Sequence, residues 1–136
     1  MTIYENKLKE CHSAMECAIN EPLSSELLDL RYKLLDEELS ELKIEIDNLQ
    51  QELKTTGKTT TQTRSKLLKE LADLQYVLTG MATSFGLPLE EAFNRVHTSN
   101  MSKLVDGKPI KRADGKFLKG PNYHPPFLDD LADTFK

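Results

Sequence analysis

Arg31-Tyr-Lys-Leu-Leu-Asp-Glu-Glu-Leu-Ser-Glu41 is the stretch from which the rest of the chain can be read. On a helical projection starting at Leu27, with about 100° between residues, Leu30, Leu34, Leu35, Leu39, Leu42, Ile46, Leu49 and Leu53 share one broad face. Asp29, Asp36 and Asp47 fall opposite, as acidic residues on an amphipathic helix should. Glu38 does not: it lands at roughly 20°, inside the apolar stripe, and Glu41 at about 320°, between Leu30 and Leu34. Glu45 also falls on this side. An unpaired buried carboxylate costs several kcal/mol, so such groups are paired or bind metal.

A second helix repeats the anomaly. In Leu67-Leu-Lys-Glu-Leu-Ala-Asp73 and the residues after it, Leu67, Leu71, Leu74, Leu78, Met81 and Phe85 form the apolar face. Glu70 stands at its edge, with Asp73 three residues on. Each helix therefore carries an acidic pair at the i, i+3 spacing that places both on one side. Packed together, the two helices would form a nest of four carboxylates. Such a nest needs a cation, and hard oxygen ligands suit Mg²⁺ or Mn²⁺. The plainer alternative is two solvated helix edges in an acidic protein.

The 136 residues suffice for one domain with a core, and 38% hydrophobic with 29% charged residues describes a globular chain. Trp is absent, so the core must be built from Leu. A net charge of −4 argues against binding a nucleic-acid polymer, which needs a basic face. Cys11 and Cys17 fit neither a zinc spacing nor a secreted disulfide framework, which points to a reduced, cytoplasmic protein. No segment reaches the roughly 18 apolar residues of a membrane span, and Met-Thr-Ile-Tyr-Glu does not begin like a signal peptide.

Taken in order, residues 3–18 read as a first helix, with His12 beside its stripe. Asn20-Glu-Pro22 breaks it, and Ser24 or Ser25 caps the next. That second helix runs from about 25 to 54, long enough to expect a kink or change of partner near 43–47. Arg31 faces its stripe and is a candidate to neutralise Glu38 or another nearby acid. The loop Thr55-Thr-Gly-Lys-Thr-Thr-Thr-Gln-Thr63 superficially echoes a phosphate loop at Gly57-Lys58-Thr59, but it lacks the earlier glycine and a preceding strand. A third helix covers about 63–85 and closes on Gly86.

Pro88 opens a fourth helix, whose face is Leu89, Ala92, Phe93, Val96 and Leu104, with Asn100 and Lys103 continuing the same side. This is the pattern of a helix that leaves the core to line a pocket, or of one that frays. Asp106-Gly107 and Asp114-Gly115 are turn dipeptides, the second at the centre of a small hairpin. Lys103 to Lys119 holds six of the eighteen basic residues, so this end is locally cationic. Phe127 to Phe135 reads as a short final helix or docked tail.

With these motifs in place, the chain resembles the all-α nucleoside triphosphate pyrophosphohydrolases, the MazG-like and phosphoribosyl-ATP pyrophosphohydrolase-like group. The resemblance rests on Arg31-x-x-Leu-Leu-x-Glu37-Glu38-x-x-Glu41, then 28 residues, then Glu70-x-x-Asp73. It continues in Asn100-Met-Ser-Lys103-Leu and in Asp-Gly-Lys-x-x-Lys-Gly leading to Tyr123-x-Pro-Pro. It implies an all-α, four-helix bundle-like fold completed by oligomerisation, as a homodimer or homotetramer. It implies a single domain over 1–136, with a helical core over about 3–104 and a hairpin and tail over about 105–136. Glu38, Glu41, Glu70 and Asp73 would hold Mg²⁺, with Mn²⁺ as the alternative. Glu37, Glu38 and Glu41 would be catalytic, Glu37 as a further ligand or water-orienting base. Asn100 and Lys103 would contact phosphate oxygens, with Lys119 and Tyr123 as further candidates. The implied reaction hydrolyses a nucleoside triphosphate to monophosphate and pyrophosphate.

Two rivals remain and a third is discounted. Phosphoribosyl-ATP is the alternative substrate. A non-enzymatic helical oligomerisation module would use the carboxylates for interhelical salt bridges with Arg31, Lys66 and Lys69. A di-iron bundle would need two Glu-x-x-His motifs, and none of His12, His97 and His124 stands three residues after a Glu.

Overall fold

The computed structural model describes residues 2–136; Met1, the first residue of the expected 1–136 domain, lies outside them. The described residues form five helices and one two-stranded sheet: α1 (Ile3–Ala14), α2 (Ser25–Thr56), α3 (Thr61–Phe85), α4 (Leu89–Met101), β1 (Ile110–Lys111), β2 (Phe117–Leu118) and α5 (Asp129–Ala132). The fold is all-α, as expected, with the sheet confined to the hairpin. The chain divides into two compact units, one ending at Leu87 and the other beginning at Pro88.

In the first unit, each helix starts on a hydroxyl that satisfies an otherwise orphaned N–H. Thr2 and Glu5 form a reciprocal capping box, the Thr2 N–H donating to Glu5 Oε2 at 2.9 Å and the Glu5 N–H to Thr2 Oγ1 at 3.2 Å. Ser24 Oγ accepts from the Leu27 N–H, and Thr60 Oγ1 from the Thr63 N–H. α1 ends at Ala14 rather than near residue 18, because Glu16 takes a left-handed backbone (φ 55°) and turns the chain back. The Cys17 N–H then donates to the His12 carbonyl at 2.8 Å.

α2 is helical without interruption from Ser25 through Thr56, across the 43–47 region where a kink or change of partner is expected. It closes on Gly57 in the left-handed conformation (φ 72°), which a glycine reaches without steric cost. Glu52 then ties the turn: its Oε2 accepts from the Thr60 N–H at 3.3 Å and from Thr63 Oγ1 at 2.8 Å. The chain reverses here, so α3 returns antiparallel along α2 and ends on left-handed Gly86.

The apolar centre of this unit is small. The buried hydrophobic residues are Leu8 of α1, Leu42 of α2, and Ala82 and Phe85 of α3. Much of the stripe read from the sequence stays open: Leu39 is 55% exposed and Leu30 52%, and Ile46, Leu53 and Leu71 are exposed too.

In the second unit, α4 ends at Met101, so Lys103 and Leu104 stand beyond it and not on its face as the pattern implied. Phe93 and Val96, counted as its apolar face, are exposed. Asp106 and Gly107 make a tight turn with positive φ at both positions (50° and 74°), closed by reciprocal Val105 and Lys108 hydrogen bonds. The hairpin around Asp114-Gly115 pairs Ile110 with Leu118 and Lys111 with Phe117. Ser99 Oγ donates to the His124 carbonyl at 2.7 Å and the His124 N–H to Ser102 Oγ at 3.1 Å, tying the tail to the end of α4. The last turn of helix forms at Asp129–Ala132, where Asp130 receives both guanidinium nitrogens of Arg95 at 2.6 and 3.0 Å.

Candidate metal centre

The antiparallel pairing of α2 and α3 brings Glu38, Glu41, Glu70 and Asp73 together. One carboxylate oxygen of each lies within 4.8 Å of the others. Glu70 is the most enclosed, 9% exposed; the other three are partly buried. Two oxygens, Glu38 Oε2 and Glu70 Oε2, are buried without a hydrogen-bond partner. A buried acceptor left unsatisfied costs about 1–3 kcal/mol, more if charged, so these two atoms call for a proton or a cation.

The electrostatics point the same way. Burial, then the charge of Glu41 and of Asp73, and after them that of Glu70, push the Glu38 carboxyl above its ordinary range. One positive group answers the cluster from within α3. Lys69 Nζ lies 2.6 Å from Asp73 Oδ2 and 3.5 Å from Glu70 Oε1, and these carboxylates hold the Lys69 ammonium above its usual range. Lys69 is solvent-exposed and donates to Asp73 and Glu70 alone, so Glu38 Oε2 and Glu70 Oε2 remain bare.

Arg31 does not neutralise Glu38. Its side chain is buried, its Nη2 donates to the Val77 carbonyl at 3.3 Å, and its Nε has no partner. Among the described residues it forms no ion pair, and burial lowers its pKa. It reaches this position because Gly80 has no side chain: a Cβ there would collide with Arg31 Nη2 and stand 3.3 Å from His12 Nε2. His12 is a packed structural residue whose Nδ1 hydrogen-bonds the Ala18 carbonyl at 2.8 Å. Gly80 carries a sequence signal of its own, since a glycine inside a strongly periodic helix is a sign of close approach.

Glu37 is exposed on α2 and outside the group of four. Of the candidates in the second unit, Asn100 and Lys103 line one cavity. Lys119 and Tyr123 meet each other, the ammonium 4.7 Å from the ring centroid.

An all-α protein with four carboxylates converging from two antiparallel helices, two of their oxygens bare, has the architecture and donor set of a divalent-cation site. Residues 8–100 match the family described as phosphoribosyl-ATP pyrophosphohydrolase. The chain belongs to that family, within the MazG-like all-α pyrophosphohydrolase superfamily. No curated protein matches it. No helix among the described residues is long and apolar enough to cross a membrane.

Proposed function

We propose that this chain is a Mg²⁺-dependent nucleoside triphosphate pyrophosphohydrolase, converting a ribo- or deoxyribonucleoside triphosphate and water to the monophosphate and pyrophosphate. The observation that carries this reading is the pair of bare, buried oxygens on Glu38 and Glu70 inside a four-carboxylate cluster. A hard divalent cation fits such an all-oxygen donor set, and Glu38, Glu41, Glu70 and Asp73 would hold it, Mg²⁺ or in its place Mn²⁺. When bound, the cation would supply neutralisation of the triphosphate and an acidified water.

The chain's own residues do the rest. Glu37, one position from Glu38 and exposed, orients the attacking water and accepts its proton. Asn100 and Lys103 donate to phosphate oxygens, and Lys119 and Tyr123 add a second cationic and hydroxyl contact. Positioning and charge stabilisation dominate phosphoryl chemistry, so little else is required. A second copy of the chain, in a dimer or tetramer, covers the apolar face left open on α2, as expected of exposed patches rimmed by polar residues. Two free thiols, Cys11 and Cys17, suit a reducing compartment, here the cytoplasm.

A second substrate, phosphoribosyl-ATP, is favoured by the description of the matching family. It presents the same triphosphate to the same carboxylates. Against the non-catalytic module stands the pattern of ion pairs: among the described residues, none bridges α2 to α3. The test is pyrophosphate release from ordinary and deoxy nucleoside triphosphates and from phosphoribosyl-ATP, with Mg²⁺ and with EDTA. Release from one of these substrates, abolished by EDTA, is expected. No release from any of them would sink the enzymatic reading.

A further inference from the structure

We infer that the second unit carries a nucleoside subsite: the cavity between the end of α4 and the β1–β2 hairpin takes the base and ribose of a nucleotide, with phosphate at its rim. This deepens the triphosphate reading and rests on it. The cavity has a volume of about 380 Å³, within the size range of small-molecule sites. Met101, Leu104, Ile110, Phe117 and Leu118 give it apolar walls. Phe117 and Met101 are each 52% exposed, so the walls are open to an incoming planar group.

The cavity is framed by hydrogen bonds rather than by loose chain. The hairpin register fixes Phe117 and Leu118 opposite Lys111 and Ile110. The Gly120 N–H donates to the Lys103 carbonyl at 3.0 Å, and a Cβ on Gly120 would stand 2.7 Å from that same oxygen and from Val105 Cγ2. Gly120 thus lets the chain after the hairpin touch the segment that follows α4. Two polar side chains line the cavity, Asn100 and Lys103, and neither side chain has a hydrogen bond or ion pair among the described residues. Phosphate oxygens require only donors. The Asn100 amide that donates to phosphate through its nitrogen also carries a carbonyl oxygen, an acceptor free for the edge of a base. Lys103, with Lys111 held 5.0 Å from the Phe117 ring centroid, supplies positive charge for the 5′-phosphate.

The experiment titrates the full-length protein, with labelled Met, Ile and Leu methyl groups, in EDTA. The probes are adenosine 5′-monophosphate, cytidine 5′-monophosphate and, separately, inorganic pyrophosphate. Saturable shifts of the Met101, Ile110 and Leu118 methyls with a monophosphate are expected, together with absence of the same shifts with pyrophosphate. Phe117→Ala should weaken that Kd about tenfold, the scale of one lost base–aromatic contact. Phe117→Leu, which keeps apolar bulk in the hairpin, should weaken it less and guards against a misfolded Ala variant. If the wild type releases pyrophosphate from triphosphates but monophosphates leave these methyls unmoved, the subsite is wrong and the proposed activity stands. If it neither releases pyrophosphate nor binds monophosphate, both are overturned. Shifts that follow protein concentration, or pyrophosphate equally well, would assign the cavity to a second copy or to phosphate alone and overturn the subsite.

Discussion

Lys69 Nζ sits 2.6 Å from Asp73 Oδ2, one helical turn along α3, and 3.5 Å from Glu70 Oε1, so two members of the carboxylate cluster already share a cation. A divalent ion that takes Asp73 as a ligand must compete with this ammonium. Lys69→Gln should therefore tighten Mn²⁺ binding by about two- to fivefold, the scale of an exposed ion pair. Calorimetry or Mn²⁺ paramagnetic titration reads it; equal or weaker binding in the variant would remove Lys69 from the site.

Glu38→Gln separates catalysis from scaffolding. Replacing a carboxylate crowded by Glu41, Asp73 and Glu70 removes repulsion, so the melting temperature in EDTA should hold or rise. Pyrophosphate release in Mg²⁺ should drop by at least about a hundredfold. A variant that instead loses about 3–5 kcal/mol in EDTA would mark Glu38 as one half of a structural pair.

For Gly80→Ala the sign decides between two effects. Helix propensity alone favours alanine by about 1 kcal/mol. The collision with the Arg31 guanidinium opposes it, and overpacking of this kind costs about 1–3 kcal/mol. Net destabilisation in urea unfolding is expected; a more stable variant would show that Arg31 moves aside freely.

The Arg95–Asp130 pair gives a pH dependence in the tail. Hydrogen bonds from Arg95, and after them its charge, hold Asp130 below the ordinary carboxylate range. Its stabilisation is therefore complete above the unfolded Asp value of about 3.9 and fades as pH falls through the lower folded value. Amide exchange at 127–133 should accelerate in that acid window, and Asp130→Asn should exchange faster already at neutral pH. Indifference of these amides to the substitution would show that the tail is held by other contacts.

The open apolar face of α2 predicts self-association. Light scattering at micromolar concentration should give a dimer or tetramer, and Leu39→Lys, at an exposed position, should shift it toward monomer. A folded, active monomer of the unaltered chain would refute it.

The helices and the cluster were legible in the sequence for one reason: a carboxylate inside an apolar stripe is an anomaly that periodicity exposes. Glu38 and Glu41, then Glu70 and Asp73, pair on helical spacing alone. The Asp114-Gly115 hairpin was legible from turn chemistry. The end of α1 was not, because Glu16 adopts a left-handed backbone that glycine or asparagine would have advertised. The partner of Arg31 was misread because a wheel shows only its own helix. Charge suggested Glu38, whereas the contact is with the Val77 carbonyl and bare backbone at Gly80, both on the neighbouring helix. Arg95–Asp130 lies 35 residues apart in sequence and left no local signal.

The Arg31–Gly80 contact also acts as a gauge for the site. Glu38 stands seven residues beyond Arg31 on α2, and Asp73 seven residues before Gly80 on α3; Glu41 and Glu70 stand ten beyond and ten before. On antiparallel helices these offsets match, so the point where a guanidinium crosses a missing methyl sets which carboxylates face each other. A one-turn slip of α3 would misalign the acids and, in the same movement, bring a side chain of that helix against the guanidinium, so the collision opposes the slip. The register of the four carboxylates is thus held two turns away, by a contact that contains no acid at all.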